Sequence, residues 1–259
     1  MITAILSALP EEQSGLLAAL QHPQRAAHGG RTFWYGTLHG QRVVLALSGI
    51  GKVAAATTAT VLIERFSAKR IVFTGVAGGA GEGVQVGDVV VAQDYIQHDM
   101  NASPLFERWR VPGYAGVRLP CDPVLTALLS RAANACLERS AGLFELKNGQ
   151  NPPRVHLGLI ASGDQFVASA AEAHTLRQAL LAAGHDMLAV EMEGGAVAQV
   201  CLDYRVPFAA VRSISDRADD TAHVDFPQFI TTVASYYADH IICNFLQSLS
   251  IRYLLRQAA

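Results

Sequence analysis

The sequence predicts an α/β protein, a single-domain three-layer α/β/α sandwich with a mixed central sheet. Three observations carry this reading. Short apolar runs alternate with helix-period stretches along most of the chain, the order that a largely parallel sheet with covering helices requires. Hydrophobic residues make up 51% of the 259 residues and charged ones 16%, enough to build a large core. An early hairpin signal adds antiparallel pairing, which makes the sheet mixed. No Pro/Gly/Ser-rich linker and no internal repeat divides the chain, so residues 1–259 read as one domain.

Residues 2–9 are an apolar run closed by Pro10, a buried strand. Pro10 with Glu11, Glu12 and Gln13 suits the first turn of a helix, where a missing N–H and acidic side chains are both tolerated. Residues 32–38 and 41–47 flank His39-Gly40 as a hairpin. A Gly-rich turn at 48–51 leads into an Ala/Thr-rich helix over 52–65. Residues 70–74 form a buried strand that Gly75-Val76-Ala77-Gly78-Gly79 is expected to stop, and 86–93 form the next. Residues 104–120 show no period and read as a long loop, often a functional one. The remaining elements are a helix at 123–137, a polar turn at 147–153, a strand at 155–161, a helix at 170–183, a strand at 187–190, a helix at 194–203 and a strand at 208–214. A long closing helix runs from 225.

Composition excludes several classes. A net charge of −2 argues against a nucleic-acid partner held through phosphates. No basic run reads as a membrane-surface patch, and the apolar stretches break well before the ~20 residues a span needs. The N-terminus lacks a basic leader and reads as a first strand, not a signal peptide. Cys121, Cys136, Cys201 and Cys243 are far apart and form no CxxC, which suits reduced thiols in a cytoplasmic protein, with neither disulfides nor a zinc site.

Six strand ends carry Gly or acidic residues: Glu11-Glu12, Ser48 to Gly51, Gly75 to Gly79, Asp164 to Phe166, Glu191 to Glu193, and Asp216. In an α/β sheet such ends converge on one crevice. Glu191 and Glu193 stand where a buried strand turns into a helix of small residues, and buried carboxylates need partners. Lys52 and Arg212 are the nearby basic candidates, and neither lies in a phosphate-loop pattern. No His pair has metal-ligand spacing. A crevice rich in acids and poor in bases suits acid–base chemistry on a neutral or cationic ligand, glycosidic hydrolysis among the options.

Six segments occur in a telling order: Ser48-Gly49-Ile50-Gly51-Lys52-Val53-Ala54-Ala55, Thr74-Gly75-Val76-Ala77-Gly78-Gly79, Val86-Gly87-Asp88-Val89-Val90, Ser162-Gly163-Asp164-Gln165-Phe166, Val190-Glu191-Met192-Glu193 and Arg212-Ser213-Ile214-Ser215-Asp216-Arg217-Ala218-Asp219. Together, from Met1 to about Phe229, they resemble the 5′-methylthioadenosine/S-adenosylhomocysteine nucleosidases of the purine nucleoside phosphorylase superfamily. The resemblance implies a nucleoside phosphorylase-like fold and hydrolysis of the N-glycosidic bond of 5′-methylthioadenosine and S-adenosylhomocysteine. It implies no cofactor or metal, a small-molecule purine nucleoside as ligand, and a homodimer.

The same resemblance implies the roles. Asp216 is the general acid that protonates N7 of the departing adenine; a donor must hold its proton, which burial favours. Read alone, Asp216 equally suits a helix N-cap. Glu12 is the base that orients and deprotonates water, and Glu193 grips the ribose hydroxyls. Met192 packs on the ribose face, and Glu191 binds ribose or supports the site. Phe166 stacks on the purine, and the Val167 backbone reads its edge. Leu9, Ile50 and Phe226 wall the 5′ pocket, and Val76 and Gly78 also belong to the substrate-binding set. Phe106, from the loop at 101–109, closes the neighbouring subunit's pocket, and His98-Asp99 is structural, at the subunit contact. Val76 stands where the best-known nucleosidases carry Ser. Gly194 and Gly195 replace bulkier small residues, a packing change. The stretch Val72-Phe73-Thr74-Gly75 lacks the Arg with which related phosphorylases hold phosphate, which favours water as nucleophile. The alternatives are a nucleosidase for another purine nucleoside of futalosine type, a phosphorylase, and a non-catalytic nucleoside-binding protein.

Overall fold

The computed structural model describes residues 1–140, 151–218, 229 and 233–257, with side chains up to residue 250. In chain order the elements are β1 (Ile2–Ser7), a 3-10 turn (Pro10–Glu12), α1 (Ser14–Ala19), β2 (Gln21–His28), β3 (Arg31–Leu38), β4 (Gln41–Leu47), α2 (Lys52–Glu64), β5 (Arg70–Gly79) and β6 (Val89–Gln97). They continue with β7 (Leu119–Pro120), α3 (Pro123–Ser140), β8 (Val155–Ser162), α4 (Ala170–Ala182), β9 (Met187–Glu191), α5 (Gly194–Asp203), β10 (Phe208–Asp216) and α6 (Ser235–Gln257). The expected polar turn at 147–153 and the start of the closing helix at 225 fall wholly or partly outside the described residues.

One mixed sheet runs β10-β6-β8-β9-β5-β1-β4-β3-β2, and β10 also pairs with β5. Five strands, β5, β10, β6, β8 and β9, therefore close on themselves, and β1, β4, β3 and β2 extend outward from β5. The β1–β4, β1–β5, β5–β10, β6–β8 and β8–β9 pairs are parallel. The β5–β9 and β6–β10 pairs are antiparallel, as are those joining β2, β3 and β4. Helices cover both faces, as the α/β/α reading expects. α2 and α5 pack with Phe33, Phe73 and Tyr95 in one core; α1, α3 and α6 pack with Ile5, Val72, Val91 and Phe245 in the other. α4 covers a third cluster with Ile96, Leu159 and Met187. No helix among the described residues is long and apolar enough to cross a membrane.

Four sequence expectations are corrected. Gly75 to Gly79 do not stop β5 but continue it; their bare Cα atoms admit side chains that arrive from other strands. β2 is absent from the sequence reading because it is an edge strand of mostly exposed polar residues, with no apolar alternation to reveal it. β6 starts at Val89 because Asp88 turns the chain ahead of it, its carboxylate accepting N–H bonds from Gln85 and Arg154 (3.1 and 2.8 Å) and pairing with His156 (2.7 Å). β10 runs two residues past its expected end at 214 and finishes on Asp216.

α5 sits unusually deep. A Cβ on Gly194 would fall 2.4 Å from the Tyr95 ring, and one on Gly195 2.8 Å from Ser162 Cβ. The two glycines thus bring the start of α5, and Glu193 just before it, into contact with β6 and β8.

Candidate active site

The strand ends converge on a cavity of about 170 Å³. Of the residues singled out from the sequence, Leu9, Glu12, Ile50, Val76, Gly78, Phe166, Val167, Glu191, Met192, Glu193 and Asp216 line it. Phe106 does not: it lies 43% exposed on the loop after β6, away from this chain's cavity. Phe226 lies outside the described residues. Gly75, Gln165 and Arg212 also line it, with Ala8, Ala77 and Val190.

Glu12 enters from the turn after β1 and is buried. Its Oε2 accepts the N–H groups of Ala8 and Leu9, both at 2.9 Å, and its Oε1 accepts that of Val76 at 3.1 Å. Burial raises its pKa, opposed by the Leu9 N–H and the charge of Arg212. The local sequence explains the pose: Pro10 starts the tight turn that folds the Glu12 side chain back onto its own N-terminal backbone.

Asp216 stands across the cavity on β10, level with Gly78 of β5, which in turn pairs with Val190 of β9. Ser215 Oγ donates to its Oδ2 and the Ala218 N–H to its Oδ1, both at 2.8 Å. A Cβ on Gly78 would lie 3.0 Å from that Oδ1, so glycine keeps the carboxylate's seat open.

The two glutamates of Glu191-Met192-Glu193 diverge. Glu191 accepts from Arg212 Nη2 at 2.6 Å and from the Gly194 N–H at 2.8 Å, so it is committed to the protein. Glu193 accepts from the Gly51 N–H at 2.7 Å through Oε1. Burial, and next the charge of Glu191, push the Glu193 carboxyl up to about 7.

Arg212 overturns the picture of a site poor in bases. It is fully buried on β10, paired with Glu191, with its guanidinium 4.0 Å above the Phe73 ring. Its Nε and Nη1 have no hydrogen-bond partner among the described residues. A Cβ on Gly75 would lie 3.1 Å from Nη1 and 3.1 Å from Glu12 Oε1. A donor and a carboxylate therefore face one gap above Gly75. The available signal was an arginine directly after the apolar run Phe208 to Val211 of a buried strand, since an unpaired buried cation is rarely tolerated.

A deep cavity at the strand ends of an α/β sheet, with opposed buried carboxylates and a half-buried aromatic at its mouth, defines a small-ligand hydrolase or transferase site. The sequence matches the Phosphorylase superfamily over residues 3–247, and the chain belongs to that family. It is 38% identical over 236 residues to a 5′-methylthioadenosine/S-adenosylhomocysteine nucleosidase of Chromohalobacter salexigens, covering 91% of this chain and 92% of that one. Among solved structures it resembles the S-adenosylhomocysteine nucleosidase of Streptococcus pyogenes in complex with 5-methylthiotubericidin (TM-score 0.83, 33% identity, covering 96% and 97% of the two chains). It also resembles the futalosine hydrolase of Helicobacter pylori (TM-score 0.80, 30% identity, 96% and 98%).

Proposed function

We propose that this chain hydrolyses the N-glycosidic bond of 5′-methylthioadenosine and S-adenosylhomocysteine, releasing adenine and the 5-thio-substituted ribose. The observation that carries the mechanism is the gap above Gly75, flanked by Glu12 Oε1 and Arg212 Nη1, with Asp216 across the cavity. Water in that gap donates one hydrogen bond to Glu12 and accepts one from Arg212. Its oxygen attacks C1′ as the bond from C1′ to N9 breaks, Asp216 gives its proton to N7, and Glu12 takes the proton that water loses. Glu193 accepts from the ribose hydroxyls and, with the other carboxylates, favours the positive charge that grows on the sugar. Met192 packs on the ribose face, Phe166 stacks on the purine, and the Val167 backbone reads its edge.

Water is the nucleophile rather than phosphate. Among the described residues the one buried cation, Arg212, is already paired with Glu191, and no other cationic side chain lines the cavity to neutralise a phosphate dianion. The 5′ group lies against Leu9 and Ile50, with Phe106 of a second copy closing the pocket in a homodimer. Free thiols at all four cysteines suit a reducing, cytoplasmic setting.

The 30% identity to a futalosine hydrolase favours one second reading, a nucleosidase for another purine nucleoside of futalosine type. The test is base release from a panel of 5′-substituted adenosines and from futalosine, with and without phosphate. Adenine release from 5′-methylthioadenosine in phosphate-free buffer is expected. Release that requires phosphate overturns the hydrolase, and faster turnover of futalosine replaces the substrate.

A further inference from the structure

The residues that form the mouth of the cavity have little core to hold them. Ile50 is 63% exposed and Phe166 47%. The chain beside them is instead tied by a closed ring of three polar residues, one from the start of α2 and two from separate loops. Lys52, at the start of α2, pairs through Nζ with Asp99 Oδ1 at 2.7 Å. Asp99, just after β6, accepts the Asp164 N–H through Oδ2 at 2.9 Å. Asp164, just after β8, accepts the Lys52 N–H through Oδ1 at 2.7 Å. Gly51 makes the closure possible: its φ is +96°, and a Cβ there would lie 3.0 Å from Asp164 Oδ1. The ring is also wired to α5. Lys52 Nζ donates to Gln97 Oε1 at 3.1 Å, and Gln97 Nε2 donates to Gln199 Oε1 at 2.7 Å. The Gly51 N–H completes the circuit on Glu193.

We propose that Lys52, Asp99 and Asp164 are positioning residues that set the loop bearing Phe166 and Val167 at a fixed distance from the turn bearing Ile50 and Gly51. None of the three touches the gap where Glu12 and Arg212 meet. Glu12 and Asp216 keep their own hydrogen bonds whatever the ring does. Opening the ring therefore weakens binding and leaves the bond-breaking geometry in place, a loss carried by KM more than by kcat. The pair is partly exposed, so it is also sensitive to salt. The proposal rests on the reading of Phe166 and Ile50 as substrate walls, and the experiment separates the two.

Steady-state kinetics on 5′-methylthioadenosine are measured for Lys52→Met, Asp99→Asn, the double variant, Lys52→Arg, and Arg118→Met as a control at an ion pair elsewhere. Folding is monitored by thermal unfolding. Hydrogen exchange of the peptide covering 162–167 is followed with and without adenine. Lys52→Met and Asp99→Asn are expected to raise KM roughly tenfold with kcat within about threefold, and the double variant to be no worse than the poorer single. Lys52→Arg stays near wild type, Arg118→Met matches it, and rising salt raises KM for wild type but not for Lys52→Met. Exchange over 162–167 accelerates in both single variants. Unchanged KM in folded variants, an equal fall in kcat, or additive losses overturn the ring. If the wild type releases no adenine, the substrate reading falls and exchange alone decides: acceleration supports the ring, and unchanged protection rejects it. Should Asp99→Asn not fold, Lys52→Met carries the same test from the more exposed side.

Discussion

At the scale of single residues, the site separates carboxylates that look alike in the sequence. Glu191 is consumed by Arg212 and the start of α5, while Glu193 keeps an oxygen for a ligand. Glu193 gives the clearest pH prediction. Its pKa is raised from the ordinary carboxylate value to about 7, chiefly by burial. The folded state thus holds a proton that the unfolded chain has lost, and this group's stabilising contribution is complete at low pH and disappears as pH rises through about 7. Substrate binding runs the other way, because the ionised form accepts hydroxyl hydrogen bonds best. Glu193→Gln is expected to melt higher than wild type at pH 8, to lose most of that advantage at pH 5, and to raise KM at both; melting curves and kinetics at the two pH values check this. Asp216→Asn is expected to retain nucleoside binding while turnover falls roughly 10²- to 10⁴-fold. Calorimetric titration beside a release assay decides it, and unchanged turnover removes Asp216 as the acid. Gly75→Ala probes the water position without altering any charged group. Its methyl group would sit between Arg212 Nη1 and Glu12 Oε1, so kcat is expected to collapse with far less change in adenine affinity.

At the scale of elements, the legible parts were those whose burial is one-sided or complete. α5 was read to the residue, because a run of small apolar residues between Glu193 and Tyr204 leaves no ambiguity of period. The β3–β4 hairpin was clear from His39-Gly40. β2 was illegible because its side chains face water, and β5 was cut short because glycine means a turn in local rules. Here it means room for a neighbour: Arg212 and Glu12 above Gly75, Asp216 beside Gly78. No local pattern reports a contact with a residue far away in the chain, as Arg212 is from Gly75 and Asp216 from Gly78. Most residues that line the cavity fall in the ordered set of motifs, and Arg212 stands in one of them, but its pairing with Glu191 and its stacking on Phe73 are contacts that no motif reports. The packing of α5 gives an element-scale prediction. Gly194→Ala would place a methyl group inside the Tyr95 ring's contact distance, and overpacking of this kind typically costs about 1–3 kcal/mol. Urea unfolding of the variant tests it; unchanged stability would mean that α5 slides freely on β6.

At the scale of the whole molecule, several large apolar side chains among the described residues stay exposed. Ile50 and Val53 at the start of α2 and Leu105 and Phe106 after β6 are all exposed, as is Phe166 at the cavity mouth. A second copy covering this side would bury apolar surface and finish the 5′ pocket. Sedimentation equilibrium is expected to give a dimer, and Phe106→Asp to weaken both dimerisation and turnover of 5′-thio substrates; a fully active monomer overturns that assembly. The closed circuit of β5, β10, β6, β8 and β9 has its own consequence. Glu12 comes to the cavity from the turn after β1, Asp216 from β10, and Gly75 and Gly78 from β5, so the groups that line it meet only once β10 has paired with both β5 and β6. Each of these pairings spans a long stretch of chain, which makes for a slow and concerted folding reaction. A nascent chain released before residue 216 has no partial activity to lose, and competence arrives in a single step with the closing strand.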